Sequence, residues 1–157
     1  MWKVALDVGV DEPQPQAPET EIGTNFPKAA ITHSESVSAD LEKAQRSFAE
    51  SLKDDEADAI IDNASDDIRV YRTGQLAAVG KKAAEKMLAD EDAKTTRAPS
   101  GTGISNPVDL AYEYGEYTKD RDKITEHGIY VCIWRLESDG AWKIALDLQK
   151  SAPTEKQ

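Results

Sequence analysis

Few side chains in this 157-residue chain are suited to chemistry, and they lie far apart. Cys132 is the one cysteine, which excludes an internal disulfide, and no Cys/His grouping has the spacing of a structural zinc site. It stands within the apolar run Tyr130-Val131-Cys132-Ile133-Trp134, so a buried structural thiol is expected in preference to a nucleophile. His33 falls in a proline-rich stretch and is expected in solvent. His127 falls at the start of a strand beside a charged turn, where it would titrate near neutrality. The run Asp54-Asp55-Glu56-Ala57-Asp58 has the composition of a cation site. It lacks the spaced loop of an EF-hand, and is read instead as the acidic start of a helix that complements the helix dipole. Gly101-Thr102-Gly103 is too short and isolated for a nucleotide loop. Tyr112 and Tyr114 share one face of a strand and Tyr117 the other, a pattern read as packing. No metal and no cofactor is expected.

The elements that would position these groups follow from periodicity. Leu41, Ala44, Phe48 and Leu52 recur at helical spacing behind a cap at Ser38 or Asp40. Lys53-Asp54-Asp55 ends that helix, and 57–64 forms a second, burying Ile60 and Ile61. Ser65-Asp66-Asp67 is read as a turn into a strand over 68–72, and a third helix is expected over 81–90. Strands follow at 95–98, 108–118, 125–136 and 142–149. Ser100 to Gly103 is read as a loop, 119–123 as a charged turn, and Ser138-Asp139-Gly140 as a tight hairpin. Helices followed by a meander of strands make an α+β domain.

Composition narrows the partners. Hydrophobic residues at 39% and charged residues at 31% suit a soluble globular domain rather than a disordered chain. A net charge of −11 and a pI near 4.6 argue against nucleic acid and against anionic membrane surfaces, because both demand clustered Lys and Arg. No apolar stretch is long enough to span a bilayer. The compartment stays open: cytoplasmic by default, periplasmic or secreted if an upstream region is missing.

One heptad is written twice. Trp2-Lys3-Val4-Ala5-Leu6-Asp7-Val8 recurs as Trp142-Lys143-Ile144-Ala145-Leu146-Asp147-Leu148, with five of seven positions identical. The second copy closes a domain over 39–150. Residues 1–10 are therefore read as a remnant of the last strand of a preceding domain in a tandem pair. Residues 11–38, with Pro13, Pro15, Pro18 and Pro27, form a linker, and 151–157 a flexible tail. The remnant strand is expected to add to a sheet edge of its own domain or of a second chain.

Four ordered segments resemble the nuclear transport factor two-like superfamily, and within it the SnoaL-like, ketosteroid-isomerase-related group. They are Ser65-Asp66-Asp67-Ile68-Arg69-Val70-Tyr71, Gly80-Lys81-Lys82-Ala83-Ala84, Asp109-Leu110-Ala111-Tyr112-Glu113-Tyr114-Gly115, and Tyr130-Val131-Cys132-Ile133-Trp134-Arg135 continuing through Asp139-Gly140-Ala141-Trp142-Lys143-Ile144. The resemblance implies a cystatin-like cone: a curved antiparallel sheet packed on a long N-terminal helix and two shorter helices, with a cavity between. It also implies a homodimer through the outer face of the sheet.

The isomerases of that group use a carboxylate base on the first strand, with a tyrosine and a protonated aspartic acid to hold the oxyanion. Aligned on the quoted segments, those positions fall on Arg72, Phe48 and Cys132. Arginine stays protonated, phenylalanine has no hydroxyl and a thiol is a weak donor, so ketosteroid isomerase chemistry is not expected. The same alignment puts Ala145 and Asp147 on the cavity face of the last strand. Tyr130 and Trp134 share the face of Cys132 by strand alternation. The resemblance thus implies a ligand-binding cavity of Phe48, Arg72, Tyr130, Cys132, Trp134 and Asp147. Arg72 and Asp147 are expected to pair there. They either close a core together or leave Arg72 to take a carboxylate through its planar fork. The leading expectation is a non-catalytic module that binds a small acidic or apolar ligand, or one that assembles as a dimer. The alternative is a hydratase, cyclase or lyase-like enzyme with Asp147 as its acid–base group.

Overall fold

The computed structural model describes residues 7–13, 35–89 and 93–153. The expected strand at residues 2–8 lies outside them except for Asp7 and Val8, which join no strand. His33 and most of the expected linker also lie outside the described residues. Within 7–13, the Asp11 carbonyl accepts the Gly74 N–H at 2.7 Å.

The stripe Leu41, Ala44, Phe48 produces α1 (Glu35–Ser51). It starts earlier than a cap at Ser38 or Asp40 would allow, inside the stretch read as linker. Leu52, one residue past its end, is fully buried, and its carbonyl accepts the Thr95 N–H at 2.7 Å. α2 (Glu56–Asn63) is capped by Asp55, whose carboxylate accepts the Asp58 N–H at 2.8 Å. β1 (Ala64–Arg72) follows at once, absorbing the expected turn at Ser65 to Asp67. β2 (Ala78–Val79) and α3 (Lys81–Leu88) come next, with Gly80 at φ 87 between them.

β3 (Lys94–Ile104) is far longer than the short strand expected, because the Gly101-Thr102-Gly103 segment is strand rather than loop. The reason lies in β4 (Leu110–Arg121). Tyr114 lies across Gly101 and Tyr112 across Gly103, so close that a Cβ at either glycine would come within 2.6 Å or 2.4 Å of the ring. The tyrosines supply the packing the glycines lack. β5 (Ile124–Leu136) follows a turn narrowed to Asp122 and Lys123, with Asp122 at φ 52. Lys119, expected in that turn, is a buried strand residue. β6 (Trp142–Ser151) closes the chain of elements and takes in Ser151, the first residue of the expected tail.

The strands form one curved, unclosed sheet in the order β2-β1-β6-β5-β4-β3. The architecture is the α+β cystatin-like cone, with one amendment. The sheet is mixed, because β6 returns to lie parallel to β1 after the long excursion between them. The inner face joins the helices in one core of Leu41, Phe48, Ile60, Tyr130, Trp134 and their neighbours. Phe48 meets Trp134 edge to face, centroids 5.5 Å apart and planes at 81°. A bulge also shifts the β5–β6 register, pairing Ile133 with Leu146 but Trp134 with Ile144. Ala145 is the extra residue and is only half-buried, while Ile144 is fully buried. The bulge brings Ile144 into the core on the same side as Asp147, which strict alternation back from Asp147 would not do. No described helix is long and apolar enough to cross a membrane.

Candidate functional site

Asp147 sits in the middle of the sheet, between Val70 of β1 and Cys132 of β5. Its Oδ1 lies 3.0 Å from Arg72 Nη1, and its Oδ2 accepts from Arg97 Nη2 at 2.7 Å. Two residues along β6, Gln149 lies between Arg72 and Tyr130 and donates through Nε2 to Glu56. Glu56 also faces Lys119 Nζ at 2.7 Å and Arg72 Nη2 at 3.7 Å. A continuous buried chain of charge results, running Arg97, Asp147, Arg72, Glu56, Lys119. Glu56 is anchored at the start of α2, where its N–H donates to the Ala93 carbonyl at 2.9 Å just before β3.

Burial and the neighbouring charges together set the protonation states. Desolvation opposes ionisation of Asp147, but Arg97 and then Arg72 outweigh it and hold its carboxyl below the usual 3.8. Glu56 behaves alike: burial opposes its charge, while Arg72 and Lys119 pull it below 4.5. The Cys132 thiol is pushed well up, by burial first and by Asp147 next. It is therefore a protonated core residue, not a nucleophile. Burial, and then a 2.7 Å hydrogen bond to Glu113, raise Tyr130.

A cleft of about 310 Å³ opens beside this cluster, between α1 and strands β3 to β5. Phe48, Leu52 and Trp134 form its apolar wall, Arg97 and Glu113 its polar part. The Arg97 guanidinium carbon lies 4.5 Å from the Tyr130 ring centroid and 5.2 Å from that of Phe48. Among the described residues Arg97 Nε and Nη1 have no oxygen or nitrogen hydrogen-bond partner, although the side chain is only 2% exposed.

The six residues assigned to a cavity therefore divide. Phe48 and Trp134 line the cleft, whereas Arg72, Tyr130, Cys132 and Asp147 pack in the core next to it. Arg97, Glu56, Lys119 and Gln149 were not anticipated. Glu56 lies one helical turn before Ile60 on the buried stripe of α2, a phase that could have singled it out from the acidic run. Gln149 follows Asp147, and Lys119 follows Tyr117, by simple alternation. His127 has its Nδ1 3.1 Å from Thr118 Oγ1, away from the cleft.

No protein-family model and no curated protein matches the chain. Solved structures do. A ketosteroid isomerase-like protein from Erwinia carotovora atroseptica superposes with a TM-score of 0.63 at 17% identity, covering 77% of this chain and 100% of that one. An NTF-2 like protein of unknown function from Shewanella oneidensis gives 0.57 at 15% identity, over 72% and 98%. A Xanthomonas campestris protein named for the association domain of calcium/calmodulin dependent protein kinase II gives 0.55 at 18%, over 82% and 96%. At these identities the likeness defines the fold: this chain has the cone architecture shared by NTF2-like, ketosteroid isomerase-like and cystatin-like proteins. Function does not transfer with it.

Proposed function

We propose that the chain is a non-catalytic small-molecule-binding module that pairs with a second copy of itself through the outer face of its sheet. The observation that carries the binding role is the cleft itself. An aromatic wall of Phe48 and Trp134 lines it, beside Arg97 and Glu113. Asp147, held ionised between two arginines, has no proton to give near neutrality, and Cys132 keeps its own. Arg72 is no base. The positions aligned with the isomerase groups, Arg72, Phe48 and Cys132, thus hold no acid–base couple. Screening small apolar and acidic molecules by thermal shift is expected to yield ligands whose effect disappears in Phe48→Ala. A screen with no shift in the wild-type chain would remove the binding role.

The pairing role rests on the opposite face. Tyr114, Val131, Leu148 and Tyr71 are successive ladder neighbours across four strands. Val131 and Leu148 are buried but stand outside the core cluster, and Ile129 beside them is 41% exposed. An apolar row on the face away from the helices suits an isologous contact. The likeness to a protein named as an association domain supports the same reading. Light scattering is expected to give twice the chain mass for the wild type and the chain mass for Val131→Lys. A monomeric wild type would reject it.

A further inference from the structure

Arg97 is placed differently from every other charge in the buried chain. It alone among those residues also lines the cleft, and it alone is flanked by two aromatic rings. Asp147 takes one of its nitrogens, at 2.7 Å, and the Cys132 thiol stands close by, leaving Nε and Nη1 without an oxygen or nitrogen acceptor among the described residues in a side chain 98% out of solvent. A buried charged donor left unpaired is costly, and an incoming acceptor recovers that cost. From this juxtaposition we infer that the cleft selects monocarboxylates with a flat apolar body, the carboxylate going to Arg97 and the body to Phe48, Leu52 and Trp134. The inference rests on the binding role proposed above and names its ligand class.

Three features favour this class. The Phe48 and Tyr130 rings hold the guanidinium in place, so little freedom is lost when it takes an anion. The cleft volume lies at the low end of the roughly 300–1,000 Å³ typical of ligand sites, which suits a small molecule. Glu113 and Glu42 share the lining with Arg97, so a dianion such as phosphate meets repulsion that a single carboxylate better tolerates.

The test is calorimetric titration of the full chain with phenylacetate and 3-phenylpropionate, each beside its neutral primary amide and its amine counterpart. The acids are expected to bind at least about tenfold more tightly than the amides, as a charge-assisted hydrogen bond would give. Arg97→Met should reduce that preference to within about twofold, and Arg97→Lys, which keeps the charge but loses the fork, should fall between. If Arg97→Met does not fold, the acid-to-amide ratio of the wild type still decides. Equal affinity for acid and amide overturns the inference while leaving the cleft a ligand site. Binding of amines alone overturns it in the same way. Failure of every acid at millimolar concentration overturns it too, and the wider binding role falls with it only if the amides and amines also leave the protein untouched.

Discussion

Two carboxylate–arginine clusters lie on opposite faces of the same sheet. On the inner face Asp147 bridges Arg72 and Arg97; on the outer face Asp67 accepts both terminal nitrogens of Arg135, which also reaches Glu137. Their shortest contacts are the same length, 2.7 Å. Their surroundings differ completely: the Asp147 side chain is 0% exposed and that of Asp67 is 67% exposed. Geometry alone would rank them equal. Burial separates them, because a charge stripped of its partner in the interior has no water to fall back on, while one at the surface does.

Acid should widen that difference most. Asp147 and Glu56 titrate below their ordinary values of 3.8 and 4.5 in the folded protein. Each therefore contributes stability that is fully present above its unfolded value and is lost as pH falls through its lower folded one. Urea unfolding between pH 6 and pH 2 should show stability falling below about pH 4.5, the steeper part belonging to the inner cluster. A flat profile over that range would mean that neither carboxylate gains from its arginines. Among single substitutions Asp147→Ala should cost most, about 3–5 kcal/mol, because it strands two guanidiniums at once. It should also flatten the acid limb. Glu56→Gln keeps the shape and a partner for Gln149 but removes the countercharge of Lys119 and Arg72, and should cost less, about 1–3 kcal/mol. A larger loss than that of Asp147→Ala would place the weight of the network at Glu56 instead.

The contrast between the faces also explains how much of the molecule could be read in its sequence. The helices and strands built on apolar periodicity were legible, since Leu41, Phe48, Ile60 and Trp134 declare their faces by spacing alone. Asp147 was legible through its place in a resemblance, and so was its neighbour Arg72. Arg97 was not. It lies on β3, whose buried partner on the same face is Thr95 and whose next residue in phase is Pro99, so no apolar alternation marks an inner side. The glycines of that strand read as a loop because the packing that makes them strand comes from Tyr112 and Tyr114, some ten residues later. The inward position of Ile144 was not legible, because a bulge leaves no trace in the period of a strand. The ion-pair partners depend on cross-strand register, and register is a property of the assembled sheet rather than of any one segment.

The smallest expected effect tests the comparison most sharply. Asp67→Asn removes the charge that Arg135 grips at 2.7 Å and 3.1 Å, but leaves Arg135 its bond to Glu137 and its access to solvent. The loss should stay below about 1 kcal/mol and shrink further in molar salt, where exposed pairs are screened. Asp147→Ala should keep nearly its full cost in the same salt, because counterions do not reach a side chain buried between β1 and β5. Urea midpoints for both variants at low and high salt give four numbers. If Asp67→Asn costs as much as Asp147→Ala, or if both effects fade together with salt, exposure is not what distinguishes the two clusters. The inner cluster would then be an ordinary ion pair that happens to lie indoors.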